Sequence, residues 1–366
     1  MNTQITTVIP TYRRPRLLDR AIRSVIAQNY PNSEIHVFDN ASGDNTREVV
    51  ARLAEKDSRV KYHRHPRNIG MMENFAHGIS KVSTPFFSIL SDDDFILPGF
   101  YDTAMRSLEE YPEAGFFLGG LLFADPAVQV VHASNVGRAM RGLIRQPDLF
   151  ISLLPGAWLT WTSTVFRTER VKQAGGLNVA FGHTGDVDLV LRLAATYPAF
   201  LDPRPCAVFS MHPDSASGRD RFDVLRQQLT LKEYANIENA VALALRLGML
   251  SDRDAGLMRG TLRSTSAWSI FRRALIFSSQ GEIDLARQTS NVLISGFGRC
   301  DLALILRLLA SRGISGNFAR RAVESARTIR AVGRDWCGTD RNTGHTHLIR
   351  SVLRTLENDT GKQPRH

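Results

Sequence analysis

The sequence predicts an α/β fold, with a mostly parallel sheet and helices on both faces, followed by a basic helical region. Short apolar runs alternate with amphipathic stretches through the first half of the chain, which is typical of parallel sheets with crossover helices. Polar residues follow several of these runs, at the sheet edge where such folds bind ligands. Beyond about residue 220 the chain is rich in Ala, Leu and Arg and is broken by glycines, which favours several helices.

Chain length and these patterns predict three regions. At 366 residues the chain exceeds the usual size of a single domain. We expect residues 1–219 to form the α/β domain and residues 220–355 to form the helical region. Residues 356–366 are expected to be a disordered tail.

Local signals predict each element of the first part in order. Ile5–Ile9 is an apolar run closed by Pro10, which predicts a strand, and Pro15 opens a helix whose apolar residues fall on one face. The next elements are strands at Glu34–Phe38 and Arg59–Arg64, a helix at Met71–Ser80 and a strand at Pro85–Leu90.

The second part of this domain has weaker signals. Residues 115–165 look irregular apart from a hairpin of Phe116–Phe123 with Val128–His132. The elements predicted after it are a strand from Thr162, helices at Thr168–Gln173 and Asp186–Ala195, and a strand at Cys206–Met211.

The net charge is uneven along the chain. Of the formal charge of +10, residues 1–219 carry +1 and residues 220–366 carry +9. Such a basic region can contact phosphates or anionic lipid, or can be a solvated Arg-rich face. We expect it to contact an anionic membrane peripherally or to form a homo-oligomer. Nucleic-acid binding is not expected, because neither interleaved aromatic residues nor a known motif accompanies the charge.

Cysteine content and the N-terminus favour a cytoplasmic protein. Cys206, Cys300 and Cys337 form no close pair, so neither a zinc site nor a disulfide framework is expected. The chain begins directly with an apparent strand rather than a signal peptide. No apolar run reaches the length of about 18 residues that predicts a membrane span. We therefore expect a cytoplasmic location, with peripheral contact to the inner face of the membrane.

Three adjacent carboxylates, Asp92, Asp93 and Asp94, directly follow the fourth predicted strand. Adjacent carboxylates repel one another, and a divalent cation removes the repulsion. Mg²⁺ and Mn²⁺ select such oxygen ligands, and Mg²⁺ commonly shares its shell between one or two carboxylates and substrate phosphates. This acidic triplet therefore predicts a metal–diphosphate site. The alternative is a solvated acidic turn that caps the helix after Pro98.

Asp39 ends the second predicted strand. A carboxylate in this position can accept a hydrogen bond from the N–H of a pyrimidine ring. The alternative is that it serves only the turn at residues 40–43.

A series of motifs spanning roughly residues 3–218 resembles family 2 glycosyltransferases. The motifs are Val8–Pro15, Ser24–Pro31, Val37–Asp44, Asn68–Gly70, Leu90–Asp94 with Pro98, Ser163–Arg167, Gly175–Asn178, Gly185–Arg192 and Met211–Ser217. The resemblance does not extend to the helical region.

The resemblance implies a GT-A fold, with a nucleotide-binding half at about residues 1–98 and an acceptor-binding half at about residues 99–219. It implies inverting transfer of a sugar from a nucleotide-sugar, usually a UDP-sugar, with Mg²⁺ or Mn²⁺ as cofactor. The acceptor would be a hydroxyl of a glycan or a lipid-linked glycan, in the synthesis of cell-surface polysaccharide or glycoconjugates.

The resemblance also implies roles for individual residues. The expected nucleotide-binding residues are Thr11, Tyr12, Asp39, Asn68 and, towards the ribose, Asp92. The expected metal ligands are Asp93, with Asp94 in support, and His212. The triplet departs from the commoner Asp-x-Asp-Asp form because Ser91 stands at its first acidic position.

Asp186 matches the general base of the family, although Gly185 stands where a Glu is usual. Inversion by a single displacement needs a carboxylate that takes the proton from the attacking hydroxyl. Without the resemblance, Asp186 would be read as a helix N-cap. Weaker candidates for contacting the acceptor or the phosphates are Asp188, Trp158, Ser215 and Arg219.

Three rival functions are weighed against this one. A sugar-phosphate nucleotidyltransferase would carry a Gly-rich basic loop after the first strand, and a dinucleotide-dependent oxidoreductase would carry Gly-x-Gly-x-x-Gly there. Residues 10–14 contain no glycine, which counts against both. A catalytically silent GT-A module acting as a binding or scaffold protein is the third. The retained acidic residues argue against it.

Overall fold

The structure is a computed structural model that describes residues 5–125, 129–133, 140–146, 148–153, 160–212, 224–256, 259–260, 263, 267, 270–271 and 283–298. These residues fall into two compact units. One contains the described residues up to 212, and the other contains those from 224 to 298.

The first unit alternates strands and helices from its start. Its first elements are β1 (Ile5–Thr11), α1 (Pro15–Ile26), β2 (Ser33–Asp39), α2 (Thr46–Ala54), β3 (Val60–Arg64), α3 (Met71–Ser80), β4 (Phe86–Ile89), β5 (Phe95–Ile96) and α4 (Phe100–Glu110). The elements that follow are β6 (Phe116–Ala124), β7 (Val130–Ala133), β8 (Gly142–Ile144), α5 (Asp148–Leu153), β9 (Thr164–Arg167), α6 (Thr168–Gln173), α7 (Gly185–Thr196) and β10 (Ala199–Ser210). Short 3₁₀ helices precede β9 and α7, at Trp161–Ser163 and Val179–Thr184.

The ten strands form one mixed sheet in the order β3-β2-β1-β4-β9-β6-β10-β5, with β7 paired to β6 and β8 paired to β10. The pairs of β1 with β2 and β4, of β2 with β3, and of β6 with β10 are parallel. The strand β9 runs antiparallel to both β4 and β6. Six strands, β1 to β4 with β6 and β10, therefore run in the same direction, as the sequence predicts.

Helices cover both faces of β1 because successive strand residues point to opposite sides of a sheet. Ile5 and Ile9 belong to the core cluster that also holds buried residues of α1 and α4. Val8, on the other face, packs against α3. A Cβ on Gly78 would lie 2.6 Å from Val8 Cγ1 and 3.1 Å from the Phe38 ring, so glycine lets α3 approach the sheet closely.

Four histidines on β2, on or just after β3, and on α3 form a histidine cluster: His36, His63, His65 and His77. The His63 ring stacks on Phe38 at 4.8 Å between centroids and lies 5.0 Å from the His36 ring. The His65 and His77 rings meet edge to face at 4.7 Å.

The polar neighbours of the histidine cluster are few. Glu34 accepts a contact from His36 at 3.2 Å, and the amide oxygen of Asn74 lies 2.9 Å from His65 Nε2. Burial lowers the pKa of His36, His63 and His77, and Lys61 and Lys81 contribute in the same direction. The folded protein therefore favours neutral imidazoles at these three positions.

The described part of the second unit is helical, with α8 at Val224–Arg246 and α9 at Ile283–Phe297 in contact. Ala240, Val241 and Leu293 are buried in this unit. In the part of the chain that the structure describes, no helix has the length and apolar character needed to cross a bilayer. The predicted tail at 356–366 lies outside the described residues, and the domain limits at 219 and 355 stay predictions.

The structure confirms some of the predicted elements and corrects the extent of others. The hairpin of β6 with β7 and the helices α3 and α6 lie where the sequence predicts them. The last strand of the sheet, β10, begins at Ala199 rather than Cys206. Its register against β6 shifts around Pro205, and this bulge breaks the alternation that marks a strand. The short elements β8 and α5 also lie within the region predicted to be irregular.

Candidate active site

The carboxyl ends of β1, β2 and β4 meet at one edge of the sheet. Thr11 and Asp39 are register partners at the ends of β1 and β2. The amide of Leu90, just after β4, donates to the carbonyl of Val8 in β1 at 3.0 Å. Residues that follow these three strands are therefore brought together, at the place where open α/β sheets bind ligands.

Asp92 is bound to the segment that follows β1. Its Oδ2 accepts a hydrogen bond from Thr11 Oγ1 at 2.8 Å and a longer one from the Tyr12 amide at 3.4 Å. Its Oδ1 accepts from Arg14 Nη1 at 3.2 Å. Burial, and then the neighbouring Asp93 charge, raise the pKa of Asp92 to about 6 against the opposing effect of Arg14.

Asp93 faces two cationic or potentially cationic side chains. Its Oδ2 lies 2.7 Å from Arg14 Nη1 and 3.1 Å from His212 Nε2. The backbone carbonyl of Asp93 accepts a short hydrogen bond from Arg20, whose guanidinium also donates to Ser210 Oγ at 2.9 Å. The carboxylate is thus directed towards the side chains of Arg14 and His212.

Asp94 is fully buried and is engaged by donors from two other segments. Its Oδ2 accepts from Thr162 Oγ1 at 2.8 Å, and its Oδ1 accepts from the Ser210 amide at 2.9 Å. Burial raises the pKa of Asp94 well above its usual range. Asp94 joins the triplet to the 3₁₀ helix before β9 and to the end of β10.

Asp39 is held at both oxygens. Its Oδ1 accepts from the Ser42 amide at 2.9 Å and from Ser42 Oγ at 2.5 Å. Its Oδ2 accepts from the hydroxyl of Tyr62 at 2.5 Å and lies 3.7 Å from Arg64 Nε. Burial and the hydrogen bond to Asp39 raise the pKa of Tyr62. The carboxylate is therefore rigidly oriented at the end of β2.

Asn68 stabilises the loop that precedes α3. Its Oδ1 accepts from Asn40 Nδ2 at 3.0 Å and from the Gly70 amide at 2.9 Å. Gly70 has a φ of +102°, a left-handed conformation that favours glycine. Asn68 thus shapes the loop between β3 and α3, next to the Asp39 end of β2.

Asp186 lies in the first turn of α7 and is half-buried, and its Oδ1 accepts from the Val187 amide at 2.8 Å. The preceding Gly185 is closely packed, because a Cβ there would lie 2.9 Å from Met72 Cε and 3.1 Å from Leu177 Cδ1. This contact places the start of α7 against α3.

Asp188 is buried and pairs with Arg192 one turn along α7, at 2.7 Å. Arg192 also donates to the carbonyls of Ala174 and Gly176. The pair therefore fastens α7 to the Gly175–Gly176 turn, so the contacts of Asp188 favour a structural role.

Trp158, Ser215 and Arg219 lie outside the described residues, so their predicted roles stay predictions. Of the other predicted nucleotide contacts, Tyr12 is exposed and its ring lies 5.1 Å below the Arg13 guanidinium, while Thr11 is buried against Asp92.

The comparisons with known proteins show a similarity to one family. Residues 6–180 match the sequence profile described as Glycosyl transferase family 2. Over these residues, which make up just under half of the chain, it is similar to glycosyl transferase family 2.

Two bacterial relatives match part of the chain. Over 108 residues the chain is 34% identical to the GalNAc(5)-diNAcBac-PP-undecaprenol beta-1,3-glucosyltransferase of Campylobacter jejuni. This alignment covers 29% of this chain and 35% of that protein. Over 111 residues the chain is 27% identical to glycosyltransferase GlyA of Streptococcus pneumoniae, and this alignment covers 30% of this chain and 16% of that protein. The matches thus span about a third or less of each relative.

Solved structures with the GT-A fold resemble the chain over most of its length. One is the Staphylococcus aureus TarS 1-349 complex with UDP-GlcNAc, with a TM-score of 0.62, 14% identity, and coverage of 89% of this chain and 92% of that one. Another is the mannosyltransferase PcManGT of Pyrobaculum calidifontis in complex with GDP-Man and Mn²⁺, with a TM-score of 0.52, 17% identity, and coverage of 96% and 87%. The predicted GT-A fold is confirmed.

The side chains at this site fit a divalent cation. Asp93 Oδ2 and His212 Nε2 lie 3.1 Å apart and offer a carboxylate oxygen and an imidazole nitrogen, both ligands of Mn²⁺. Among the described residues, no group of three metal-ligating side chains is present. The protein would therefore supply two ligands and leave the other positions to diphosphate and water, as is common for Mg²⁺.

The sequence alone predicts no role for Arg14, Arg20 or Tyr62 at this site. Arg14 and Arg20 lie on α1 or at its start, and both contact the acidic triplet. Tyr62 lies on β3, next to Asp39 across the sheet. The signal that could have identified Tyr62 is the parallel pairing of β2 with β3, which brings polar residues of the two neighbouring strands together.

Proposed function

We propose that the chain is a metal-dependent, inverting glycosyltransferase that moves a sugar from a UDP-sugar to a hydroxyl of a glycan or lipid-linked glycan. The observation that carries this proposal is the convergence of Asp39, the acidic triplet and His212 at the carboxyl edge of the sheet. The UDP-GlcNAc bound by the structurally similar TarS supports a uridine nucleotide as donor.

The donor would be held by the residues after β1, β2 and β4. Asp39 would accept the N–H of the uracil ring, and Asp92, fixed by Thr11, would contact the ribose. Asp93 and His212 would hold Mg²⁺ or Mn²⁺. When bound, this cation stabilises the negative charge that develops on the leaving diphosphate.

Asp186 would act as the general base. A single displacement with inversion requires a carboxylate on the side of the sugar opposite the leaving diphosphate, to take the proton of the attacking hydroxyl. The half-buried position of Asp186 at the start of α7, which packs against α3, is compatible with this role.

The acceptor is proposed to be a glycan carried on a lipid. The support is the Campylobacter jejuni relative, whose name describes a glucosyltransferase acting on an undecaprenol-linked acceptor. The charge of +9 in residues 220–366 supports peripheral contact with an anionic membrane from the cytoplasmic side. Co-sedimentation of the full chain with phosphatidylglycerol vesicles, but not with phosphatidylcholine vesicles, is the expected result.

A panel of UDP-, GDP- and dTDP-sugars tests the function. We expect UDP-sugars to raise the melting temperature of the full chain, and to be hydrolysed slowly, only when Mn²⁺ or Mg²⁺ is present. EDTA should remove both effects. Failure of every nucleotide-sugar to shift the melting temperature with either metal would contradict the proposal.

A further inference from the structure

The Arg14 guanidinium faces the acidic triplet, at the place where a divalent cation would also bind. Its Nη1 lies 2.7 Å from Asp93 Oδ2 and 3.2 Å from Asp92 Oδ1. Three-quarters of the Arg14 side chain is shielded from solvent, and the two carboxylates are almost completely shielded. These are charge-assisted hydrogen bonds in a poorly hydrated setting, which makes them stronger than surface ion pairs.

The same carboxylate oxygen of Asp93 is the one nearest to His212 Nε2. A divalent cation held by Asp93 and His212 would therefore compete with Arg14 for Oδ2. Two cations at this spacing repel each other, and their repulsion is weakly screened at a buried site. The guanidinium and the metal are thus alternatives at this oxygen unless an additional anion lies between them.

We propose that Arg14 exchanges with the divalent cation: it neutralises Asp92 and Asp93 before the metal binds, and it moves to the diphosphate of the donor when the metal takes its place. This inference rests on the proposed function and concerns the order and coupling of binding at the same site. Guanidinium groups match phosphate oxygens well, so the diphosphate offers Arg14 a new partner.

The exchange makes metal binding and nucleotide binding cooperative. Without nucleotide, a cation must displace Arg14 and leave it without its carboxylate partners. With nucleotide, the displaced guanidinium binds the diphosphate. By linkage, the nucleotide must strengthen metal binding by the same factor as the metal strengthens nucleotide binding.

The experiment measures Mn²⁺ binding to the full-length protein by the EPR signal of free Mn²⁺, with and without UDP. Arg14→Gln removes the competing charge, and we expect it to bind Mn²⁺ about 10-fold or more tightly than the wild type when UDP is absent. The factor by which UDP strengthens Mn²⁺ binding should fall by a similar amount. Arg14→Lys retains a competing cation and should stay closer to the wild type.

Arg16→Gln is the matched control. Arg16 lies on the outer side of the same helix, where it lines a surface groove with Asp19 and Arg52. The Arg16→Gln variant removes one positive charge near the site but keeps the contact of Arg14 with Asp93. The Mn²⁺ affinities with and without UDP should therefore both stay within about two-fold of the wild type. An equal effect of Arg16→Gln would show that general charge, and not exchange at Asp93, sets the affinity.

The possible outcomes separate this inference from the proposed function. If the wild type binds Mn²⁺ with UDP, and Arg14→Gln leaves both the affinity and the effect of UDP unchanged, the exchange is wrong and the metal-dependent function stands. If Mn²⁺ binds to none of the folded proteins, with or without UDP, the metal-dependent function is wrong and the exchange fails with it. Melting curves of each variant establish that it is folded.

Discussion

Replacement of Asp94 separates a structural role from a metal-binding role within the acidic triplet. Asp94→Ala removes the acceptor of the half-buried Ser210 amide and of the buried Thr162 hydroxyl, which keeps a longer contact of 3.3 Å with Thr160 Oγ1. The loss of a buried hydrogen-bond partner costs about 1–3 kcal/mol, and the contact with Thr160 offsets part of one of the two losses, so we expect the free energy of unfolding to fall by about 1–4 kcal/mol. Asp94→Asn can satisfy both, because its carbonyl oxygen accepts from the Ser210 amide and its amino group donates to Thr162 Oγ1. Its cost should stay below about 1 kcal/mol.

Two measurements decide between the roles. Urea unfolding gives the loss of stability, and hydrogen exchange followed by mass spectrometry shows whether the Ser210 amide loses protection in Asp94→Ala but keeps it in Asp94→Asn. Mn²⁺ binding in the presence of UDP should change by less than about three-fold in Asp94→Asn, whereas Asp93→Asn should lose most of it.

The positioning role of Asp94 would be refuted by either of two results. One is an Asp94→Ala protein as stable as the wild type, with normal protection of the Ser210 amide. The other is a stable Asp94→Asn protein that no longer binds Mn²⁺, which would instead support the sequence prediction of Asp94 as a metal ligand.

Three other changes test the site and the fold. Asp186→Asn should keep UDP affinity within about three-fold while sugar transfer falls by about 100-fold or more, because only the proton acceptor is removed; a variant with normal turnover would show that another group is the base. Gly78→Ala should lower the free energy of unfolding by about 1–3 kcal/mol, because the new Cβ would lie 2.6 Å from Val8 Cγ1; Gly256→Ala, where a Cβ meets open space, should not lower it. Lowering the pH from about 7.5 to about 5.5 should destabilise the wild type relative to a His63→Gln variant, because the unfolded chain gains protons near the ordinary histidine pKa while His36, His63 and His77 resist them in the folded protein. Asp92 and Asp94, whose raised pKa values act in the opposite direction, are common to both proteins; an equal change of melting temperature in the two proteins would argue against the histidines as the cause.

The sequence predicts those residues of the site that directly follow a single strand. Asp39 and the acidic triplet are recognisable because each follows an apolar run, and a parallel sheet brings the ends of such runs to one edge. Thr11 and Asp39 are register partners, as adjacent parallel strands of similar length would place them. The late strand β10 was harder to predict, because Pro205 and its bulge interrupt the alternating pattern.

Contacts between distant segments could not be predicted from local pattern. Arg14 looks like an ordinary basic residue before a helix, and only the path from β1 into α1 turns its guanidinium towards Asp93. Tyr62 reaches Asp39 because β3 pairs with β2 in a particular register, which the sequence of neither strand fixes alone. Gly185 lies close to Met72 on another helix, and the sequence around neither residue predicts this contact.

The three consecutive carboxylates differ because their neighbours differ. Asp92 is fixed to Thr11 at the end of β1, Asp94 is fully buried between Thr162 and Ser210, and Asp93 faces the side chains of Arg14 and His212. Three carboxyl groups in a row are tolerable because each meets donors from a different segment, and because burial raises the pKa of Asp92 and Asp94, which lowers the negative charge that the triplet carries. A divalent cation at the proposed site would then replace only the guanidinium at Asp93, while the outer two carboxyl groups keep the ends of the strands in place. On this reasoning the proposed metal ion would bind to a carboxylate whose position is already set by both of its neighbours in the chain.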